Sequence, residues 1–231
     1  MKKLVLALSL VAATSSVLAE DTVNYGDPLA SYSGLGIQQS FARDNTKNTT
    51  ASFVYGGGSH IFSGDIGSNF KGDINYRARY FNVDQDSGFG WSVDALGGKV
   101  KSSFGTSYNN TMLAGVVQKF DITDSFIVVP MVYGGNAFIN DKDKAGNKSN
   151  NDSWLGQGGV YAMYGFEAGH WVYANPKSTY LASGKKWHNA LELGAGYMLA
   201  ENQSLGAKYE LSKLDGSKPD SKATINYFFY F

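Results

Sequence analysis

Between Lys71 and Phe81 the sequence alternates with period two. Ile74, Tyr76, Ala78 and Tyr80 fall on one face of an extended strand, and Asp73, Asn75, Arg77 and Arg79 on the other. A strand built this way cannot leave both faces in water without exposing a large apolar patch. The same design recurs later. Trp187, Leu191, Leu193, Ala195, Tyr197 and Leu199 alternate with His188, Glu192, Gly194 and Gly196, while Leu205, Ala207, Tyr209 and Leu211 face away from Gly206, Lys208 and Glu210. One surface suits lipid and the other suits water.

Rougher segments of similar length lie at about 31–41, 50–62, 89–101, 109–121, 125–139, 153–166, 170–182 and 221–231, giving eleven candidate strands in all. Asp121-Ile122-Thr123-Asp124 and Ala200-Glu201-Asn202-Gln203 are the tightest of the polar turns between them. Longer polar stretches occupy 42–49, 140–152 and 215–220. Helical periodicity is absent, and no linker or shift of composition divides residues 20–231, which read as one all-β domain. A transmembrane strand needs about 9–11 tilted residues, and alternating segments of that length separated by turns define a closed antiparallel transmembrane β-barrel.

Composition agrees with two unlike surfaces. Charged residues make up 17%, below the roughly 25% of soluble domains, and Gly is 28 of 231 residues, well above the roughly 7% average. A mean hydropathy of −0.25 is too polar for a bundle of membrane helices. Without cysteine there is no disulfide, thiolate metal site or nucleophilic thiol. The balance of 20 basic against 20 acidic side chains gives no electrostatic footprint for nucleic acid.

The N-terminus reads as a secretory leader, with basic Lys2 and Lys3, an apolar core from Leu4 to Ala13, and a small-residue cleavage site at Val17-Leu18-Ala19. Its apolar core is shorter than the ~20 residues that span a bilayer as a helix. Removal of 1–19 leaves 212 residues with 18 basic and 20 acidic side chains.

At the other end, Ile225, Tyr227, Phe229 and Phe231 share one face of a strand from Ser221. An apolar, uncharged, β-prone tail is an aggregation hazard in water. Here the chain resembles the Gram-negative outer-membrane β-barrel proteins, whose final strand carries alternating aromatics and a C-terminal Phe. The resemblance implies a place in the outer membrane, contact with its lipid bilayer, and recognition of Tyr227, Phe229 and Phe231 by the outer-membrane assembly machinery. The subfamily stays open.

Bacterial single-chain barrels have an even number of strands, so the eleven candidates imply ten or twelve. In the ten-strand arrangement the wall begins near residue 50, and 31–41 form a plug or periplasmic arm. In the twelve-strand arrangement a short strand within 22–29 pairs with 31–41. Pro130 and Pro176 fall inside strands, where a missing N–H is tolerated only at bulges or rims.

The inward residues are Asp73, Arg77, Arg79, Asp94, His188, Glu192, Lys208 and Glu210. Around an open lumen, such opposed charges form a transverse field that selects small polar solutes. In a filled barrel they pair and hold strands together. The leading expectation is a small, weakly selective porin-like pore. The alternative is a closed structural or adhesive barrel whose loops bind a partner. A rim enzyme is the third reading, but Ser59 and His60 are adjacent on a strand and point to opposite faces, and no catalytic motif accompanies His60, His170 or His188. No cofactor is implied. Residues 141–152 hold acids at three positions of a calcium-loop spacing, but three lysines, Ala145 at a ligand position and Asp152 in place of Glu make a mobile surface loop the better reading.

Overall fold

The computed structural model describes residues 23–231, so the leader expected at 1–19 lies outside the described residues. Thirteen strands form one antiparallel sheet: β1 (Gly34–Ala42), β2 (Lys47–Gly57), β3 (His60–Ser68), β4 (Ile74–Val83), β5 (Phe89–Lys101), β6 (Gly105–Gln118), β7 (Phe120–Thr123), β8 (Phe126–Asp143), β9 (Lys148–Gly165), β10 (Trp171–Leu181), β11 (Lys186–Ala200), β12 (Gln203–Leu214) and β13 (Asp220–Tyr230). β7 continues β6 beyond Lys119. Val117 pairs with Met131 and Phe120 with Val128, one unbroken register along β8. Pairing of β1 with β13 closes the sheet, so the wall is a barrel of twelve strands. Closure leaves no free sheet edge, a requirement for any sheet that crosses hydrocarbon.

The twelfth strand comes from a different place than the sequence implies. Residues 31–41 do supply a wall strand, β1, but its partners are β2 and β13, and 23–33 contain no strand. The segment read as 50–62 is in fact most of β2 and the start of β3, joined by a two-residue turn at Gly58-Ser59 in which Gly58 has φ +59°. That left-handed conformation suits glycine and matches the twist of a tight hairpin.

The two-residue turns at 58–59, 124–125 and 201–202 lie at one end, together with Phe231, whose N–H donates to the Ser33 carbonyl. Barrels of this kind keep short turns on the periplasmic side, which fixes the orientation. The opposite end is the outer one. There 140–152 form no long loop, because β8 and β9, of 18 residues each, run on as one hairpin and leave only 144–147 at the tip. Asp141 pairs with Ser149, so successive residues alternate between faces and cannot converge on a cation.

Accessibility alternates along much of the wall, whereas β7 and the outer ends of β8 and β9 are exposed on both faces. Outward residues such as Ile66, Met112, Val132, Leu193 and Ile225 are exposed and form the belt that faces hydrocarbon. Inward residues of β3 to β10 at the periplasmic end form one buried apolar cluster, including Ile61, Phe81, Val117, Val129, Met163 and Trp171. Glycines of the adjoining strand β11, directly across from β10, make room for it. A Cβ on Gly196 would overlap the Trp171 indole, and one on Gly194 the Tyr173 ring. Pro130 and Pro176 both lie inside the wall and flank β9: Pro130 pairs with Val160, while the β9–β10 ladder is interrupted between Ala174 and Lys177. Pro176 thus falls at a gap in the β9–β10 ladder, whereas Pro130 lies within an unbroken β8–β9 register, away from the bulge or rim expected for it.

Candidate functional site

The lumen has two unlike halves. In the outer half lies a cavity of about 520 Å³, lined by Asp65, Arg77, Asn109, Lys208 and Lys222 together with apolar residues such as Leu96 and Val100. At its floor a belt of charge crosses the barrel. On one wall, Asp94 of β5 is 2% exposed and accepts from both arginines of β4. Arg77 Nε donates to its two carboxylate oxygens at 2.9 and 3.1 Å, and Arg79 Nη2 to Oδ2 at 2.9 Å. Two guanidiniums on one carboxylate leave a surplus positive charge. Arg79 also lies 5.3 Å from the Phe81 ring, a favourable cation–π geometry. Asp65, directly across from Arg77 on β3, accepts from Ser52, which in turn accepts from Gln38.

The other half of the belt lies on β10 to β13. β11 stands opposite β4, six strands away around a ring of twelve. Glu192 accepts from Tyr173 Oη at 2.9 Å and pairs with Lys208 Nζ at 3.4 Å. Glu210 meets Lys222 at 3.7 Å. Lys177 has no carboxylate within 4.0 Å among the described residues, and the Asn175 side-chain oxygen is buried without a hydrogen-bond donor. The belt holds five cations, Arg77, Arg79, Lys177, Lys208 and Lys222, against four carboxylates, Asp65, Asp94, Glu192 and Glu210.

Seven of the eight interior residues expected from sequence fall on inward faces of β4, β5, β11 and β12. Arg77, Arg79 and Asp94 form one cluster; Glu192 and Lys208 pair with each other; Glu210 pairs with Lys222; His188 stands apart toward the outer end of β11. Asp73 precedes β4 and serves the rim: it accepts from the Asn69 side chain and the Lys101 backbone N–H. Sequence reading overlooked Asp65, Lys177 and Lys222. Asp65 lies on the unrecognised strand β3, whereas Lys177 and Lys222 alternate plainly within segments that were recognised. The three histidines are dispersed. His60 faces outward, 2.7 Å from the Tyr80 hydroxyl, and His170 stacks on Tyr197 at the periplasmic end.

The periplasmic half is occupied by residues 23–33. Leu29 is 1% exposed and belongs to the apolar cluster that joins the walls. Asp27 is 5% exposed, caps the Leu29 N–H at 2.8 Å and pairs with Lys119 Nζ at 3.0 Å. Tyr161 Oη donates to the Gly26 carbonyl at 2.9 Å, and Tyr25 stacks on Tyr230 at 3.7 Å between centroids. Nothing in the composition of 23–33 marks it as a plug; the segment has no alternation, and its turn signal at Gly26-Asp27-Pro28 does not say where the chain folds back.

Tyr227, Phe229 and Phe231 all face outward from the last strand and its end, in register between β1 and β12. The outward belt, the closed wall and the short periplasmic turns define a transmembrane β-barrel of the outer-membrane type. Solved structures share this fold. The NanC porin aligns over 85% of this chain and all of its own, at TM-score 0.56 and 14% identity. The KdgM porin aligns over 86% and 99%, at 0.50 and 9%. The translocator domain of the autotransporter NalP from Neisseria meningitidis aligns over 100% and 94%, at 0.57 and 12%. At these identities the likeness is one of fold. No protein-family model and no curated protein matches the sequence.

Proposed function

We propose that this barrel is an outer-membrane, porin-like, non-enzymatic passage for small polar solutes, whose periplasmic mouth is governed by residues 23–33. The observation that carries the reading is the charge belt, in which each wall holds cations and carboxylates together, at a cavity that Arg77, Asp65, Lys208 and Lys222 help to line. Side chains that serve only to fasten strands need no such cavity. Charges of both signs, paired along each wall of a narrow aqueous path, favour polar solutes over apolar ones, so selectivity is weak by charge and stronger by polarity and size. Two of the fold relatives are porins by name, which supports this reading. Dispersal of the histidines supports the non-enzymatic part. Interior Arg77, Arg79, Glu192 and Lys208 are proposed as solute-facing, with Asp94 buried behind the two arginines that it holds. Tyr227, Phe229 and Phe231 are proposed as the assembly signal, by their outward position on the last strand.

A second reading has its own support. The apolar cluster through Leu29 spans the periplasmic half, as expected of a closed barrel whose outer hairpins bind a partner. Flux through vesicles separates the two. Proteoliposomes loaded with polymer and diluted into small sugars or amino acids swell if the barrel conducts. Swelling of the wild type, or of a variant with the Asp27–Lys119 pair removed, supports the passage. Absence of swelling in both, with the barrel shown folded by heat-modifiable gel migration, supports the closed barrel.

A further inference from the structure

Charge is distributed unequally between the two ends of the barrel. The periplasmic turns carry Asp84, Asp86, Asp121, Asp124, Glu167 and Glu201, and among the described residues Lys119 is the lysine or arginine at that end. The lysines gather at the outer end, most densely on the wall from β5 to β9. Register places them in a row: Lys101 pairs with Thr106, Thr106 with Lys142, and Lys142 with Lys148. These ladders run without a register shift, so all four side chains keep the outward parity of Val93, Ala114, Val132 and Gly156 below them. Lys99 lies one outward step beneath Lys101.

Directly opposed like charges on an antiparallel pair repel, yet Lys142 faces Lys148. None of Lys99, Lys101, Lys142 and Lys148 has a carboxylate within 4.0 Å among the described residues. The outward positions next below the row are Tyr108, Asn140 and Asn150, followed by Phe138 and Asp152 and then Trp154, with Phe104 at 84% exposure in the adjoining turn. Aromatic rings beneath a row of cations mark the level where a bilayer gives way to headgroups. Such a row has one partner that matches its position, its sign and its outward direction.

We infer that the outward lysine row Lys101, Lys142 and Lys148, with Lys99 below it, binds the phosphate groups of an anionic glycolipid in the outer leaflet. The row is built to be neutralised by lipid rather than by protein. This inference rests on the lipid-facing placement of the wall and is independent of whether the lumen conducts. Phosphate binding relieves the Lys142–Lys148 repulsion, so lipid and hairpin stabilise each other.

The test uses the full barrel in neutral detergent, titrated with bis-phosphorylated lipid A and followed by native mass spectrometry. Wild type is expected to retain the lipid. The K101Q/K142Q/K148Q variant is expected to bind it about tenfold more weakly, each lysine near a charged lipid surface adding affinity. The K101R/K142R/K148R variant keeps the charge and is expected to retain binding, which separates lost charge from lost folding. Binding of wild type should fall with added salt. Equal retention by the glutamine variant overturns the assignment. So does equal retention of dephosphorylated lipid, or displacement of the lipid by millimolar inorganic phosphate, which would mark a site for free anions. Solute flux measured on the same glutamine variant is expected to match wild type, so failure of this site and failure of the passage are read separately.

Discussion

Asp27 and Lys119, 92 positions apart, meet at 3.0 Å across the periplasmic mouth, with the carboxylate buried and the ammonium half-buried. Asp27 uses its other oxygen to cap Leu29, so one side chain both ties the N-terminal segment to the wall and shapes its turn. Loss of Asp27 leaves Lys119 with the exposed Asp121 carboxylate at 3.4 Å and removes the charge-assisted cap on Leu29, at a cost of about 2 kcal/mol. Asp27→Ala is therefore expected to lower stability toward guanidinium by that order and to open the mouth. Equilibrium unfolding in micelles checks the first effect; an unchanged midpoint would count against the tie.

Gly26 tests the same closure by shape. Any Cβ there would overlap Trp171 and the Met163 sulfur. Gly26→Val is expected to lift residues 24–30 from the cluster without disturbing the wall, because their hydrogen bonds Asp27 N to Asn24 O and Ala30 N to Asp27 O are local. Hydrogen exchange should quicken in this segment and stay slow in β8 and β9. Unchanged protection at 24–30 would show that the segment is not seated as described.

In the belt, Asp94→Asn removes the carboxylate shared by Arg77 and Arg79. Two guanidiniums then face the lumen with their carboxylate gone, at a cost of about 3 kcal/mol. Ion preference is expected to move toward anions. Reversal potentials across a salt gradient measure the shift, and Glu192→Gln should act in the same direction by freeing Lys208. A shift toward cations in either variant would place these residues outside the path.

The outer β1–β2 turn gives a pH signature. The Thr46 backbone N–H, bonded to Asp44 at 2.8 Å, holds the Asp44 carboxyl below its ordinary range. With the folded pKa depressed, this bond stabilises the turn above the unfolded value, about 3.9 for aspartate. The contribution is lost as pH falls through the lower folded value. The Thr46 amide shift should titrate with an inflection below that of a free aspartate; an inflection at or above it would mean that the turn hydrogen bond is absent in solution.

Much of the barrel was legible in the alternation of side chains, because a lipid-facing surface and a polar lumen impose opposite demands on neighbouring residues. Ile74 to Phe81 and Leu205 to Leu211 point as their sequences imply. The missed strand β3 shows where that signal stops. Gly64 and Gly67 give it no side chains to alternate, and Gly56-Gly57-Gly58 blends its turn into β2. That glycine run was the available sign of a hairpin. Inward charges were legible strand by strand, but their pairing was not. Partners such as Lys222 for Glu210, or Lys119 for Asp27, depend on register and on a fold-back of chain that local periodicity does not encode.

Planar-bilayer recording tests the passage most directly, with the wild type beside Asp27→Ala, both shown to be folded by heat-modifiable migration. Discrete openings are the expected result, larger or more frequent in Asp27→Ala, with a reversal potential that Asp94→Asn displaces toward anions. A silent membrane with both proteins inserted would contradict a conducting lumen and leave the closed barrel.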